Sequence, residues 1–319
     1  MKKGSYVMST IKVDELGSGF EFGVKVDGLR KQDLGNESIK EQLRFLFDSY
    51  GLIIFENIEP TDAMQIELSN IFGTLKEHPI PTVPRAKIDN HPGIIKIATI
   101  PEDPNIIRVN GEELTHWLPW HFDHSYNDKL NRAGVLRPIT IAPEDGMTGF
   151  VDGIELYNSV SQDVIRKLEG KYVLYLLDPL FTRYRFGMPD SLEVIRLQQV
   201  RYDTAEHIKD RPRAAHPAIW TRPDGRKVLH LSPFMSMGIE GEEQPSQLEE
   251  YSKICDEILR AINPYYHRWK PTDMLIWDNC RMLHCSTGIN PLYQRVMHRT
   301  TIEGDYGLGR FESQQMGAA

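Results

Sequence analysis

The sequence predicts a mainly β fold with flanking helices, a sandwich or barrel core on which helices pack. Three observations carry that expectation. Short strand-like runs bounded by turn residues recur along the whole chain, helical periodicity is confined to a few segments, and no repeat, low-complexity tract or linker divides the 319 residues. One catalytic domain spanning 1–319 is the simplest organisation, with 10–75 as an N-terminal helical and strand part packing on the core.

The elements follow in order. Ile39, Leu43, Phe47 and Tyr50 recur at helical spacing, and Gly51 closes that helix before the buried strand Leu52 to Phe55. Thr61 caps a second helix running to Phe72, which Gly73 stops in a left-handed conformation. The prolines between Glu77 and Asn90 mark an extended loop, and Ile94 to Ile100 a strand. Trp120 to Tyr126 alternates as a strand does, and Ile139 to Ala142 is a further short apolar run. Ser161 starts a helix with Val164, Ile165 and Leu168 inward, and Tyr172 to Leu177 returns as a strand. Phe181 to Arg213 is polar and arginine-rich, as suits a lid insert over a sheet or, equally, a surface excursion. Pro223, Asp224 and Gly225 turn a hairpin between Ala218 to Trp220 and Val228 to Leu231. A helix from Gln247 to Ile262 precedes the last two strands, Met274 to Trp277 and Arg295 to Ile302, and 306–319 is expected as a flexible tail.

The formal net charge of -8 leaves no basic face for nucleic acid, so an anionic small molecule must be held by a few local cations. Cys255, Cys280 and Cys285 follow neither a zinc-knuckle nor a disulfide pattern. The opening MKKGSYVMST leads into no apolar stretch, and no run of about eighteen apolar residues occurs. A soluble cytoplasmic protein without membrane or nucleic-acid partners is expected, and a homo-oligomer is compatible with the sequence.

Chemistry concentrates in two places. His121 and Asp123 stand two apart, and on a strand that spacing puts an imidazole and a carboxylate on one face. His284 precedes Arg295 by eleven positions, with Gly288, Asn290 and Pro291 between them. A hairpin centred near Ile289 and Asn290 would bring His284, Arg295 and Arg299 to one face. Taken alone, H-x-D is a weak signal and a buried histidine is usually a core residue. Together, two histidines and a carboxylate on one side of a metal leave positions open, which suits iron(II) oxygen chemistry better than a closed zinc site. Arg295 adds the planar fork that a carboxylate prefers.

With these residues, the chain resembles the taurine dioxygenase and 2,4-dichlorophenoxyacetate dioxygenase (TauD/TfdA) family of 2-oxoglutarate-dependent oxygenases. The matching residues are Trp120-His121-x-Asp123, Thr148 twenty-seven positions after His121, Trp277-Asp278-Asn279, His284, and Gln294 through Arg299. The likeness covers roughly 40 to 305 and is weakest from Phe181 to Arg213. It implies a double-stranded β-helix, a cupin-like jelly roll, with Fe(II) held by His121, Asp123 and His284. It also implies 2-oxoglutarate as co-substrate on Thr148 and Arg295, and O2 as oxidant, with no catalytic base. The expected reaction is hydroxylation of an unactivated C–H bond of a small substrate, with succinate and CO2 as co-products. The same oxidant could desaturate, cyclise or epimerise instead.

The likeness further suggests His78, Trp117, Tyr126 and Arg299 as substrate-binding residues. Arg299 points to an acidic group on the substrate, or else partners a carboxylate within the site. Trp117, four positions before His121, leans toward an apolar or aromatic substrate, and His124 should face away from His121 and Asp123. Two rivals of other classes remain at this level. A zinc hydrolase could use the same ligands, though no H-E-x-x-H helix or base is evident, and a non-catalytic metal-binding scaffold would be expected to have lost a ligand or the arginine.

Overall fold

Asn36 starts the first helix, Glu37–Tyr50: its side chain accepts the Ser38 N–H, and Gly51, at φ 74°, ends it by donating its N–H to the Phe47 carbonyl. Ile39, Leu43, Leu46 and Phe47 form its buried stripe. Thr61 caps the second helix, Asp62–Phe72, as expected. Gly73 departs from expectation, with φ 152° and ψ -178° in place of a left-handed turn. That conformation suits glycine, and a Cβ there would lie 2.9 Å from Ile302 Cγ2. The computed structural model describes residues 6–8, 11–77, 84–86, 93–99 and 101–312. His78 lies outside them.

Two facing sheets make the core. The larger has eight strands, in the order Tyr6–Met8, Ile11–Glu15, Val24–Asp27, Leu52–Glu56, Met274–Asp278, Ala133–Thr140, Arg295–Ile302 and Ile94–Thr99. The smaller has six: Glu193–Arg196, Ile106–Val109, Glu112–His121, Met282–Ile289, Thr148–Asp152 and Tyr265–His267. Leu136, Leu275, Trp277 and Met297 from the large sheet meet Phe150 and Met282 from the small one. The two first helices cover the other face of the large sheet, where Leu43, Phe47, Met64 and Leu68 pack on Ile53, Phe55, Val135 and Ile276. Strands buried on both faces therefore read as unbroken apolar runs, such as Leu52–Phe55. This is the jelly-roll architecture expected of the chain.

Four further expectations about the fold are corrected. The strands flanking Gly288 to Pro291 do not pair as a hairpin. Met282–Ile289 pairs with Glu112–His121 and Thr148–Asp152, whereas Arg295–Ile302 pairs with Ile94–Thr99 and Ala133–Thr140 in the opposite sheet. Gly288, at φ 81°, lies near the end of the strand Met282–Ile289, just before the chain crosses between sheets. The strand expected over Trp120 to Tyr126 is Glu112–His121, so Asp123 stands beyond its end. The apolar run at Ile139 belongs to the strand Ala133–Thr140, with Ile139 itself exposed. The expected tail holds a short strand, Arg310–Phe311, on Ala214–Ala215, and the Tyr306 hydroxyl lies 2.7 Å from His216 Nδ1.

Behind the small sheet, His216 and His230 are fully buried beside Phe122, His230 stacking on its ring at 3.9 Å. Burial holds His216 down to about 4 and His230 down to about 3, against 6.5 for a free imidazole. The unfolded chain therefore takes up protons first. The stabilisation from neutral burial is full above about pH 6.5 and is lost progressively as pH falls toward 4. At pH 5 the loss is roughly 2 kcal/mol per histidine. Urea unfolding at pH 7.5 and pH 5.0 should show the stability falling by roughly 4 kcal/mol from this pair. A His230→Gln chain should show a shallower fall, and equal slopes for the two chains would refute the assignment.

Candidate active site

The small sheet and the turn after the large sheet's Met274–Asp278 strand assemble three buried ligands. His121 ends its strand opposite His284, with ring centroids 4.1 Å apart. Asp123 reaches them from the turn beyond: its Oδ1 is 4.0 Å from His121 Nε2 and its Oδ2 3.6 Å from His284 Nε2. One ligand atom from each of the three can be chosen so that all lie within 4.8 Å of one another. The placement of Asp123 is fixed by Asn279, whose side-chain oxygen accepts the Asp123 N–H at 2.7 Å and whose NH2 donates to the Asp123 carbonyl at 3.0 Å. A buried pair, Arg281 with Asp152 at 2.8 Å through both nitrogens, anchors the turn carrying Asn279. Breaking such a pair typically costs about 3–5 kcal/mol.

Donor chemistry fits a metal ion. His121 Nδ1 lies 2.8 Å from the Pro119 carbonyl, so that nitrogen carries the proton and Nε2 keeps a lone pair. Burial, then the neighbouring His284, lowers His121 to about 3, so the ring is neutral at physiological pH. Burial pushes Asp123 up, but the Arg299 guanidinium together with His284 and His121 outweighs it, and the carboxyl lies well below its ordinary value. Arg299 Nη1 donates to Asp123 Oδ1 at 2.9 Å. Nη2 approaches Oδ2 at 2.6 Å without hydrogen-bond geometry, which leaves that buried oxygen open to a metal. Two imidazoles and one carboxylate are the set of the facial iron(II) sites.

A cation waits further along the interior. Arg295 is buried, and burial holds its guanidinium down to about 10. Its hydrogen bond is a long one, Nη2 to the Gly146 carbonyl at 3.5 Å, and it makes no ion pair among the described residues. Gly146, at φ 68°, permits that approach, since a Cβ there would lie 3.3 Å from Arg295 Nε and 2.9 Å from Ile289 Cγ2. Thr148 opens the strand beside His284, opposite Ser286. Its hydroxyl oxygen accepts the Trp269 indole N–H at 3.1 Å, so its own proton is free to be donated. A buried guanidinium without a carboxylate among the described residues suits an organic anion, and so does a hydroxyl prepared as donor.

Beside the triad lies a cavity of about 170 Å³, lined by His121, Asp123 and Arg299 together with Leu118, Tyr126, Phe181, Tyr184, Phe234, Met235 and Arg201. Tyr126 stands in this wall, and burial followed by Asp123 pushes its phenol up, so the hydroxyl stays protonated. Trp117 does not: it lines a groove on the outer face of the small sheet with Trp120 and Tyr266. A bulge explains this. His284 opposes His121 but Ser286 opposes Leu118, so one extra residue reverses the alternation and Leu118 takes the inward place. His124, at φ 60°, also lies in the cavity wall, packed edge-on to Tyr126 at 6.0 Å, because it follows a turn and not a strand.

Beyond the site residues foreseen from the sequence, the structure adds Arg201, Phe181 and Tyr184, all from the segment 181–213, and Trp269. That segment carries no periodic pattern from which inward residues could be picked. Trp269, just before Lys270 and Pro271, was marked by nothing more than a bulky residue ahead of a strand.

Comparison with known proteins decides the family: the one described as Taurine catabolism dioxygenase TauD, TfdA family matches residues 12–301. The chain belongs to this family. It is 23% identical over 287 residues to a pentalenolactone F synthase of Streptomyces arenae, covering 88% of this chain and 92% of that protein. It is also 23% identical over 290 residues to an (S)-phenoxypropionate/alpha-ketoglutarate-dioxygenase of Sphingobium herbicidovorans, covering 89% and 92%. The crystal structure of AAD-2 in complex with Mn(II) and N-oxalylglycine superposes with a TM-score of 0.68 at 19% identity, covering 92% of this chain and 98% of that one, which supports the fold. Among the described residues no helix is long and apolar enough to cross a membrane.

Proposed function

We propose that this chain hydroxylates a C–H bond of a small organic acid with an apolar or aromatic body, using iron(II), 2-oxoglutarate and O2 and releasing succinate and CO2. Its class is that of the 2-oxoglutarate-dependent non-haem iron dioxygenases, the class named for several full-length relatives, one acting on (S)-phenoxypropionate and one on 2,4-dichlorophenoxyacetate. The observation that carries the reading is the pairing of two features: three open metal ligands beside an aromatic cavity, and a buried, unpaired guanidinium at Arg295.

In this reading His121, Asp123 and His284 hold the iron, while Arg295 and Thr148 hold the far carboxylate of 2-oxoglutarate. When bound, iron and 2-oxoglutarate together supply the oxidant that replaces C–H by C–OH. The chain's own residues do the rest. Arg299 keeps Asp123 ionised and oriented, Trp269 turns the Thr148 hydroxyl into a donor, and Phe181, Tyr184, Phe234 and Met235 keep water from the reacting carbon. The segment 181–213 serves as the wall of the substrate cavity. A zinc hydrolase would leave the free Arg295 and the Thr148 donor without a role.

Anaerobic addition of iron(II) and then 2-oxoglutarate should give the visible charge-transfer band of a chelated keto acid, and admission of air should give succinate. Iron uptake with neither band nor succinate would refute the reading.

A further inference from the structure

The cavity beside the triad holds a second guanidinium without an anion. Arg201 lies in the first turn of the helix Gln199–Ile208, where a positive charge opposes the helix dipole and so does not serve the helix. Its Nη1 donates to the Pro179 carbonyl at 3.0 Å, and its Cζ sits 5.2 Å from the Phe181 ring centroid. Burial lowers its pKa, and among the described residues no carboxylate offsets that cost. Asp178, the acid in the same wall, is already engaged: Oδ1 accepts the Leu180 N–H, and Oδ2 accepts the Thr182 hydroxyl and the Arg183 N–H. Tyr184 accepts the Asp178 N–H at 2.7 Å on its phenol oxygen, which leaves its O–H to donate into the cavity.

Arg299, the other arginine in the cavity wall, has an acid of its own in Asp123, as Arg281 has in Asp152 and Arg222 in Asp278 elsewhere in the chain. Arg299 in particular is held on the metal-ligand carboxylate. An anion entering this cavity therefore meets one uncommitted cation. We propose that Arg201, assisted by the Tyr184 hydroxyl, binds the carboxylate of the prime substrate and so turns its apolar or aromatic body toward the triad. The proposal rests on the dioxygenase reading of the site and names the determinant of its substrate class. It also places that determinant in the segment 181–213 instead of on the strand that carries Arg299.

The test uses the full chain loaded with Mn(II) and N-oxalylglycine, inert stand-ins for iron and 2-oxoglutarate, whose uptake is measured first. Phenoxyacetate and 3-phenylpropionate, each against its neutral amide, are then titrated by calorimetry. In the wild-type chain each acid should bind roughly tenfold to a hundredfold more tightly than its amide. Arg201→Gln should erase that difference with unchanged Mn(II) and N-oxalylglycine uptake, which also shows that the variant folds. Arg201→Lys should keep part of it, and Tyr184→Phe should reduce it severalfold; these two carry the test should Arg201→Gln not fold. Acid preference retained in Arg201→Gln, or absent from the wild type, would overturn the role of Arg201 alone. Failure of the wild-type chain to take up Mn(II) with N-oxalylglycine would overturn the underlying site reading instead.

Discussion

Asp123→Ala should abolish iron-dependent turnover and also destabilise the metal-free protein. The first effect follows from geometry, because Asp123 is the sole carboxylate of the triad and sits between the two imidazoles, 4.0 Å and 3.6 Å away. Disturbing residues that merely support a metal ligand costs about 10–100-fold in affinity, so losing the ligand itself should exceed that range. The second effect follows from electrostatics. Arg299 is largely buried against Asp123, and removing one partner of such a pair leaves an uncompensated cation at a cost of about 3–5 kcal/mol. Calorimetric titration with Mn(II) and urea unfolding of the apo chain read the two effects separately. Adding Arg299→Ala to the Asp123→Ala chain should recover part of the stability but none of the metal binding. Wild-type affinity for Mn(II) in Asp123→Ala would remove the triad from the mechanism.

What the sequence disclosed and what it hid divide along a physical line. Caps, periodic stripes and turn residues are local, so the first helix with its stripe from Ile39 to Tyr50 and its Gly51 stop, the second helix capped by Thr61, and the hairpin around Asp224 could all be placed by spacing. The triad was legible because its residue types are rare in combination, although the local geometry assumed for it was not the one found. His121 and Asp123 share a site through a turn clamped by Asn279, and His284 and Arg295 share an interior because their strands line opposite sheets. Side chains that point into a sandwich from both sides converge as a hairpin face would, so the wrong pairing led to the right neighbours. Parity along a strand is less forgiving: one bulged residue before His121 carried Trp117 to the outer face. Arg201 was out of reach altogether, since its importance lies in the absence of an acidic partner among the described residues, a property of packing that no spacing encodes.

Replacing Arg295 by glutamine should move two quantities in opposite directions. The requirement for 2-oxoglutarate should rise, because a hydrogen bond to a charged group is worth about 1.5–3 kcal/mol, or roughly tenfold to a hundredfold in the apparent KM. At saturating 2-oxoglutarate kcat should change little, since in the proposed arrangement Arg295 holds the remote end of the co-substrate and not the reacting carbon. The unloaded protein, by contrast, should become more stable. Arg295 has no acid among the described residues to offset its burial, and a guanidinium held down to about 10 bears a cost of roughly 3 kcal/mol. Glutamine keeps some polarity without the charge, so a gain of about 1–3 kcal/mol in unfolding free energy is expected. This combination separates a binding group from a structural one: an arginine that merely braced Gly146 would lower stability on removal and leave the KM unmoved. Steady-state succinate formation across a range of 2-oxoglutarate concentrations, with urea unfolding of the apo chain, measures both. A fall in stability with an unchanged KM would assign Arg295 to the scaffold and leave the co-substrate without its anchor.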